Sequence, residues 1–185
     1  MSPISYRIVR PAERKIALHF MECWGHRWHG CSPPPTKGEI IAAFKDNKII
    51  GTVVLDLYSN DKPFSLELIY DFSHIQTYTP NLPKNCMVQG GRWFASKPGV
   101  SRMLLHAIAE YAIPHGAEYL IAEVKETSIK ILEGLGIRFV ILCGVSPCLD
   151  SIPIEGLKYY VDLPPPRLMI IKLSLLYMEE HKLLK

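Results

Sequence analysis

Nowhere does the chain hold about 18 consecutive uncharged apolar residues, the length a single-pass membrane helix needs. Charge of one sign is also scarce: 21 basic and 18 acidic side chains leave a formal net charge of +3. A nucleic-acid partner, which requires a basic face or stripe, is therefore not expected. Cysteines are few, odd in number and irregularly placed, at 23, 31, 86, 143 and 148. Such a set makes no disulfide framework, so the expectation is a reducing, cytoplasmic compartment. Ser2-Pro3-Ile4-Ser5-Tyr6-Arg7 lacks a signal-peptide pattern. The G-x-x-x-x-G-K-[ST] loop, the G-x-G-x-x-G fingerprint and the G-x-S-x-G elbow are all absent. What the chain does have is apolar content, 48% over 185 residues, enough to fill one core. The expected organisation is one domain over residues 1–185, with 164–185 as a C-terminal helical extension.

Periodicity divides the chain. Tyr6 to Val9 reads as a first strand. Glu13 to Cys23 carries Ile16, Ala17, Phe20 and Met21 at helical spacing, and Gly25 to Gly38 breaks it. Glu39 to Lys45 and Ile49 to Tyr58 form a hairpin around Asp46-Asn47. Phe64 to Phe72 alternates and predicts a third strand. Cys86 to Ala95 predicts a strand with a bulge or a close backbone approach at Gly90-Gly91. Ser101 is the expected cap of a helix whose stripe is Leu104, Leu105, Ile108, Ala109 and Ala112. Tyr119 to Val124 is a strand, Thr127 to Glu133 a helix, and Phe139 to Leu142 a strand. Gly156 to Leu163 predicts a last strand and Arg167 to Leu184 a last helix. Strand, helix and strand in succession require a parallel pair, so the sheet is mixed.

Several residues could carry chemistry. The turn from Lys97 to Met103 leads into a helix N-terminus, where unpaired amides and the helix dipole suit a pyrophosphate; the alternative is an ordinary connection. Arg92 stands inside an apolar strand and needs a carboxylate, carbonyls or a ligand at its fork. Glu67, Glu123 and Asp71 are the acids weighed as structural partners. Glu67 or Glu123 becomes a general base if burial raises its pKa; otherwise each is solvated or paired. Cys23, His26, His29 and Cys31 are compact but lack zinc-ligand spacing, and Trp24 and Trp28 among them suit packing or a lid, so no metal is expected.

The order of elements now has a likeness. The Glu39–Tyr58 hairpin, the strand Val88 to Ala95, the helix Ser101 to His115, the strand Tyr119 to Val124, and helix plus strand from Ile129 to Phe139 resemble the GNAT acyltransferase fold. That resemblance implies an α/β (α+β) mixed sheet with helices on both faces. It implies an acyl-CoA donor with its pyrophosphate on the turn Lys97, Pro98, Gly99, Val100, Ser101, Arg102 and Met103, although the family's Q/R-x-x-G-x-G/A pattern is missing there. Within the superfamily, Val88-Gln89-Gly90-Gly91-Arg92-Trp93-Phe94, Leu104 to Gly116, Ile129 to Gly144 and Gly156 to Tyr160 are similar to acyl-homoserine-lactone (autoinducer) synthases. Those enzymes move an acyl chain from acyl carrier protein to the amine of S-adenosylmethionine and then lactonise.

Arg92 matches that family's arginine, whereas Gln89 stands where it has a glutamate. Leu132 occupies the position of the common GNAT tyrosine, leaving Tyr111, Tyr159 or Tyr160 as sources of a hydroxyl. The implied function is N-acyl transfer from acyl-CoA or acyl carrier protein to a small amine, with Glu67, Glu123, Arg92 and Gln89 as catalytic residues. No nucleic acid and no stable membrane insertion are implied. A glutamine cannot take a proton from an ammonium. Either Glu67 or Glu123 does that work, or the acceptor differs, or the chain is a non-catalytic ligand-binding or sensor protein of the same fold.

Overall fold

β1 (Ser5–Ile8) lies antiparallel on β2 (Glu39–Lys45), which turns back into β3 (Lys48–Leu57). Asp46 and Asn47 take positive φ, 50° and 61°, the tight hairpin turn these residues tolerate. Next in space come β4 (Met87–Ala95), β5 (Tyr119–Val124), β7 (Arg167–Lys172) and β6 (Val140–Ile141). Only the β4–β5 pairing in this seven-stranded sheet is parallel; every other neighbour is antiparallel. The computed structural model describes residues 3–31, 37–59, 61–73, 83–97 and 99–176.

Strand alternation divides the core between the two faces of the sheet. Ile41, Val53, Leu55, Val88, Leu120, Ala122, Met169 and Ile171 face α2 (Val100–Ala112) and α3 (Glu126–Gly134). Small Ala107, Ala109 and Ala112 bring α2 close to the strands. On the opposite face, α1 (Arg14–His29) packs Ala17 and Met21 on Ile40, Ala42, Val54 and Phe94. Beside it, Phe64, Leu66, Tyr70 and Phe72 cover Met87, Ile121, Leu168 and Ile170. Helices thus lie on both faces of a mixed sheet, as expected.

Several expectations are corrected. Phe64 to Phe72 is not a strand: Ser65–Leu68 is a 3₁₀ turn, held by Glu67 on the Phe64 amide at 3.0 Å. Its alternating apolar residues cap the sheet instead of joining it. α1 runs past Gly25, which is buried on its packing face, and stops at Gly30 with φ 67°. Gly99, not Ser101, is the cap of α2, and Lys125, not Thr127, is that of α3. Gly156 to Leu163 is no strand, because α4 spans Ile154–Val161.

The largest correction concerns Arg167 to Leu184 and the helical extension over 164–185. Arg167–Lys172 is β7, inserted between β5 and β6. Leu168, Met169, Ile170 and Ile171 are buried on both faces, the run expected of a central strand. Residues 173–176 form a helical turn, and 177–185 lie outside the described residues. So do the prolines of 33–35 and the segment 74–82.

Gly51 on β3 meets the first turn of α2. A Cβ there would sit 2.5 Å from Val100 Cγ1 and 3.0 Å from the Phe94 carbonyl oxygen. Gly51→Ala is expected to cost on the order of 1–3 kcal/mol by overpacking, read as a lower midpoint of urea unfolding. An unchanged midpoint would mean that α2 sits further from β3.

Candidate active site

The parallel ladder ends early. β4 and β5 pair from Met87↔Tyr119 to Gly90↔Ala122 and then part. β4 stays with β3 to the pair Gly51↔Ala95, and β5 stays with β7 to Val124↔Arg167. At the parting, the β3–β4 register shifts between Thr52, opposite Phe94, and Val54, opposite Gly91. Two residues, Arg92 and Trp93, therefore face one, a β-bulge. Arg92 adopts φ 50°, rare for a residue with a Cβ. The bulge falls one residue beyond Gly91. The expected close approach is at Gly90, whose Cβ would lie 2.7 Å from Leu120 Cδ1, while Gly91 faces open space.

Glu123 is the residue on β5 just past the last β4–β5 pair. Its neighbours Ala122 and Val124 point into the α2–α3 core, so Glu123 points to the other face, with Ile121. The Tyr70 hydroxyl donates to Glu123 Oε1 at 2.7 Å, and the Tyr160 hydroxyl donates to Oε2 at 3.0 Å. Burial raises the Glu123 pKa, while the two hydroxyls and the Arg92 charge oppose the rise. Arg92 is desolvated too, which lowers its pKa, and Asp56 on β3 is the first group to offset this. Burial raises Asp56 in turn, against Arg92 and Arg14. The result is a guanidinium between two desolvated carboxylates. Glu123 is one of the acids the sequence offers as a partner of Arg92, whereas nothing in the sequence points to Asp56 or Tyr70. Asp56 reads as part of an ordinary strand, and Tyr70 reaches a residue 53 positions away, so neither carries a local signal.

An aromatic wall stands beside this group. His29, at the end of α1, meets Tyr159 edge-on at 4.9 Å, and Tyr159 meets Tyr160 at 5.2 Å. Lys125 Nζ lies 4.9 Å from the Tyr159 ring centre. Burial and the Lys125 charge both hold the His29 pKa down. On the outer side is a depression of about 350 Å³ lined by Trp28, His29, Lys125, Thr127, Lys158 and Asp162, among others.

The other expected residues are placed as follows. Gln89 is buried, its Oε1 accepting the Leu66 amide at 3.1 Å and its Nε2 donating to Ser65 Oγ at 2.6 Å. It ties the 3₁₀ turn to β4. Glu67 caps that turn and pairs with Lys84. Leu132, on α3, is fully buried against the sheet. Val100 to Met103 form the first turn of α2, and its N-cap, Gly99 at φ 82°, makes no side-chain cap bond. Space above Gly99 is open, Arg102 binds the Leu135 carbonyl at 2.9 Å, and Pro98 lies outside the described residues. Among the described residues no three His, Cys, Asp or Glu side chains gather as a metal site. No helix among them is long and apolar enough to cross a membrane.

No protein-family model matches the chain, and no curated protein matches it. Solved structures do. The acyl-homoserine-lactone synthase LasI is 12% identical at a TM-score of 0.61, with 94% of this chain and 91% of that one covered. FeeM, an N-acyl amino acid synthase from uncultured soil microbes, is 12% identical at 0.63, over 94% and 93%. A GNAT-family acetyltransferase from Staphylococcus aureus Mu50 is 10% identical at 0.57, over 92% and 99%. This is the GNAT fold. Synthases and acetyltransferases with the GNAT fold match comparably, so the likeness does not single out the autoinducer synthases. Where β4 and β5 part, this chain has Arg92 and Glu123, with the two tyrosines on Glu123 and Asp56 behind Arg92.

A group whose folded pKa is raised stabilises fully only below its unfolded value, and that contribution is lost as pH rises through the folded one. Glu123→Gln removes the cost of ionising a buried carboxyl. The variant should therefore gain stability relative to the wild type as pH rises through and beyond the ordinary carboxylate range, read as the difference in denaturation midpoints. A difference that does not vary with pH would contradict the raised Glu123 pKa.

Proposed function

We propose that the chain transfers an acyl group from a thioester, carried on coenzyme A or an acyl carrier protein, to the amine of a small acceptor. The observation that carries this reading is the placement of Glu123 and Arg92 at the end of the β4–β5 ladder in a GNAT fold. The open backbone turn at Gly99 supports a donor site along Lys97 to Met103, with amides of the first α2 turn facing a phosphate. The likeness to an N-acyl amino acid synthase and a homoserine-lactone synthase supports an acceptor of amino-acid type. All five cysteines are thiols, which supports a reducing, cytoplasmic setting.

The chemistry follows from the charges. Glu123 takes a proton from the acceptor's ammonium, and the neutral amine attacks the thioester carbonyl. A backbone amide near the Arg92 bulge, where β4 no longer pairs with β5, stabilises the oxyanion. Collapse breaks the C–S bond, and the thiolate leaves, taking up the proton that the acylated nitrogen sheds. Arg92 orients the acceptor from the opposite side of Glu123. Gln89 and Glu67 brace the 3₁₀ turn that carries the cover over this face.

A second reading, a ligand-binding protein without turnover, has its own support. Both polar ends of Gln89 are occupied, and Leu132 offers no hydroxyl. Incubating the protein with a medium-chain acyl-CoA and, separately, with the same acyl chain on an acyl carrier protein, each with a panel of amino acids and amines, and following thiol release, separates the two. Turnover is expected with at least one acceptor, and Glu123→Gln should lower it by roughly 10²–10⁴. Saturable thioester binding with no thiol released from either donor class would establish the binding reading instead.

A further inference from the structure

We propose that Tyr70 and Tyr160 are positioning residues that clamp the Glu123 carboxylate at the parting of β4 and β5, one hydroxyl on each oxygen. The inference rests on the reading of Glu123 as the base. The two hydroxyls come from separate covers of the same sheet face. Tyr70 follows the 3₁₀ turn, packed with Phe64, Phe72 and Met87, and Tyr160 lies on α4. Both rings are buried, at 2% and 9% exposure, and a phenylalanine would fill the same space. The hydroxyls are therefore not explained by packing. Among the described residues both hydroxyls donate to Glu123, at 2.7 and 3.0 Å.

One donor on each oxygen fixes the plane of the carboxylate, because rotation would break one bond or both. A carboxylate offers about four lone-pair directions, so the clamp leaves about two for Arg92 and an acceptor ammonium. It also favours the ionised form, since a proton placed on either oxygen competes with a tyrosine donor. Other groups facing Glu123 are Arg92 from β4 and Tyr159 from α4, with Asp56 of β3 behind Arg92. From β7 the register partner is apolar Leu168. Arg92 alone among these adds to the clamp in favouring the carboxylate.

The test uses Tyr70→Phe and Tyr160→Phe in the full chain, with two readouts. The first is the titration of the Glu123 carboxyl carbon by NMR, assigned with Glu123→Gln. The second is the pH profile of thiol release. Each variant should titrate at higher pH than the wild type, since a donor to the charged form is lost. At a pH on the acidic limb, its rate should fall about tenfold, and on the alkaline plateau by less. A merely structural tyrosine would lower the rate equally at every pH. Unmoved titration in a natively folded variant overturns the clamp; if Tyr70→Phe does not fold, Tyr160→Phe decides alone. Moved titration with a limb that does not follow Glu123 upholds the clamp and overturns the base.

Discussion

β4 and β5 share four residue pairs and then each keeps only its outer neighbour. This parting governs the rest of the structure. A bulge at Arg92 lets β4 follow β3 while β5 follows β7, so neither strand loses its antiparallel support. On their inner sides the two strands leave backbone groups with no ladder between them, and such groups require partners from elsewhere. The turn into α2 and the cap of α3 open at this same end of the sheet. Arg92 and Glu123 lie at the rim of the gap, Tyr70 and Tyr160 on elements that cover it, and Asp56 on β3 behind Arg92.

The gap also explains the charges. A guanidinium inside a sheet is tolerated only where carboxylates or a ligand offset its desolvation. Arg92 has Asp56 on one side and Glu123 on the other, and both acids are themselves destabilised by burial. Arg14 adds a second positive charge near Asp56, so two cations face two desolvated carboxylates.

How much was legible in the sequence depended on whether the signal was local. The hairpin, β4, α2 and β5 follow from period and turn chemistry, and the structure has all of them. Arg92 was legible because a charge inside an apolar strand asks for a partner, and Glu123 because it stands near a strand end. β7 was not: Arg167 to Leu176 has apolar residues at helical spacing, and only burial on both faces makes it a strand. Phe64 to Phe72 failed for the converse reason, since alternation alone does not distinguish a strand from an irregular cover that uses the same residues to cap a sheet. Asp56, Tyr70 and the engagement of Gln89 with Ser65 depend on contacts across more than twenty positions, which no local pattern carries.

The insertion of β7 between β5 and β6 bears on the order of assembly. β6 precedes β7 in the chain, yet its ladder partner is β7 alone. Val140 and Ile141 therefore have nothing to pair with until residues 167–172 have docked. The edge of β5 that will carry Glu123 stays open for just as long. The candidate site is thus completed only when a distant segment closes the sheet, and a chain folded only through α3 would hold the hairpin and the turn without the far wall of the cleft.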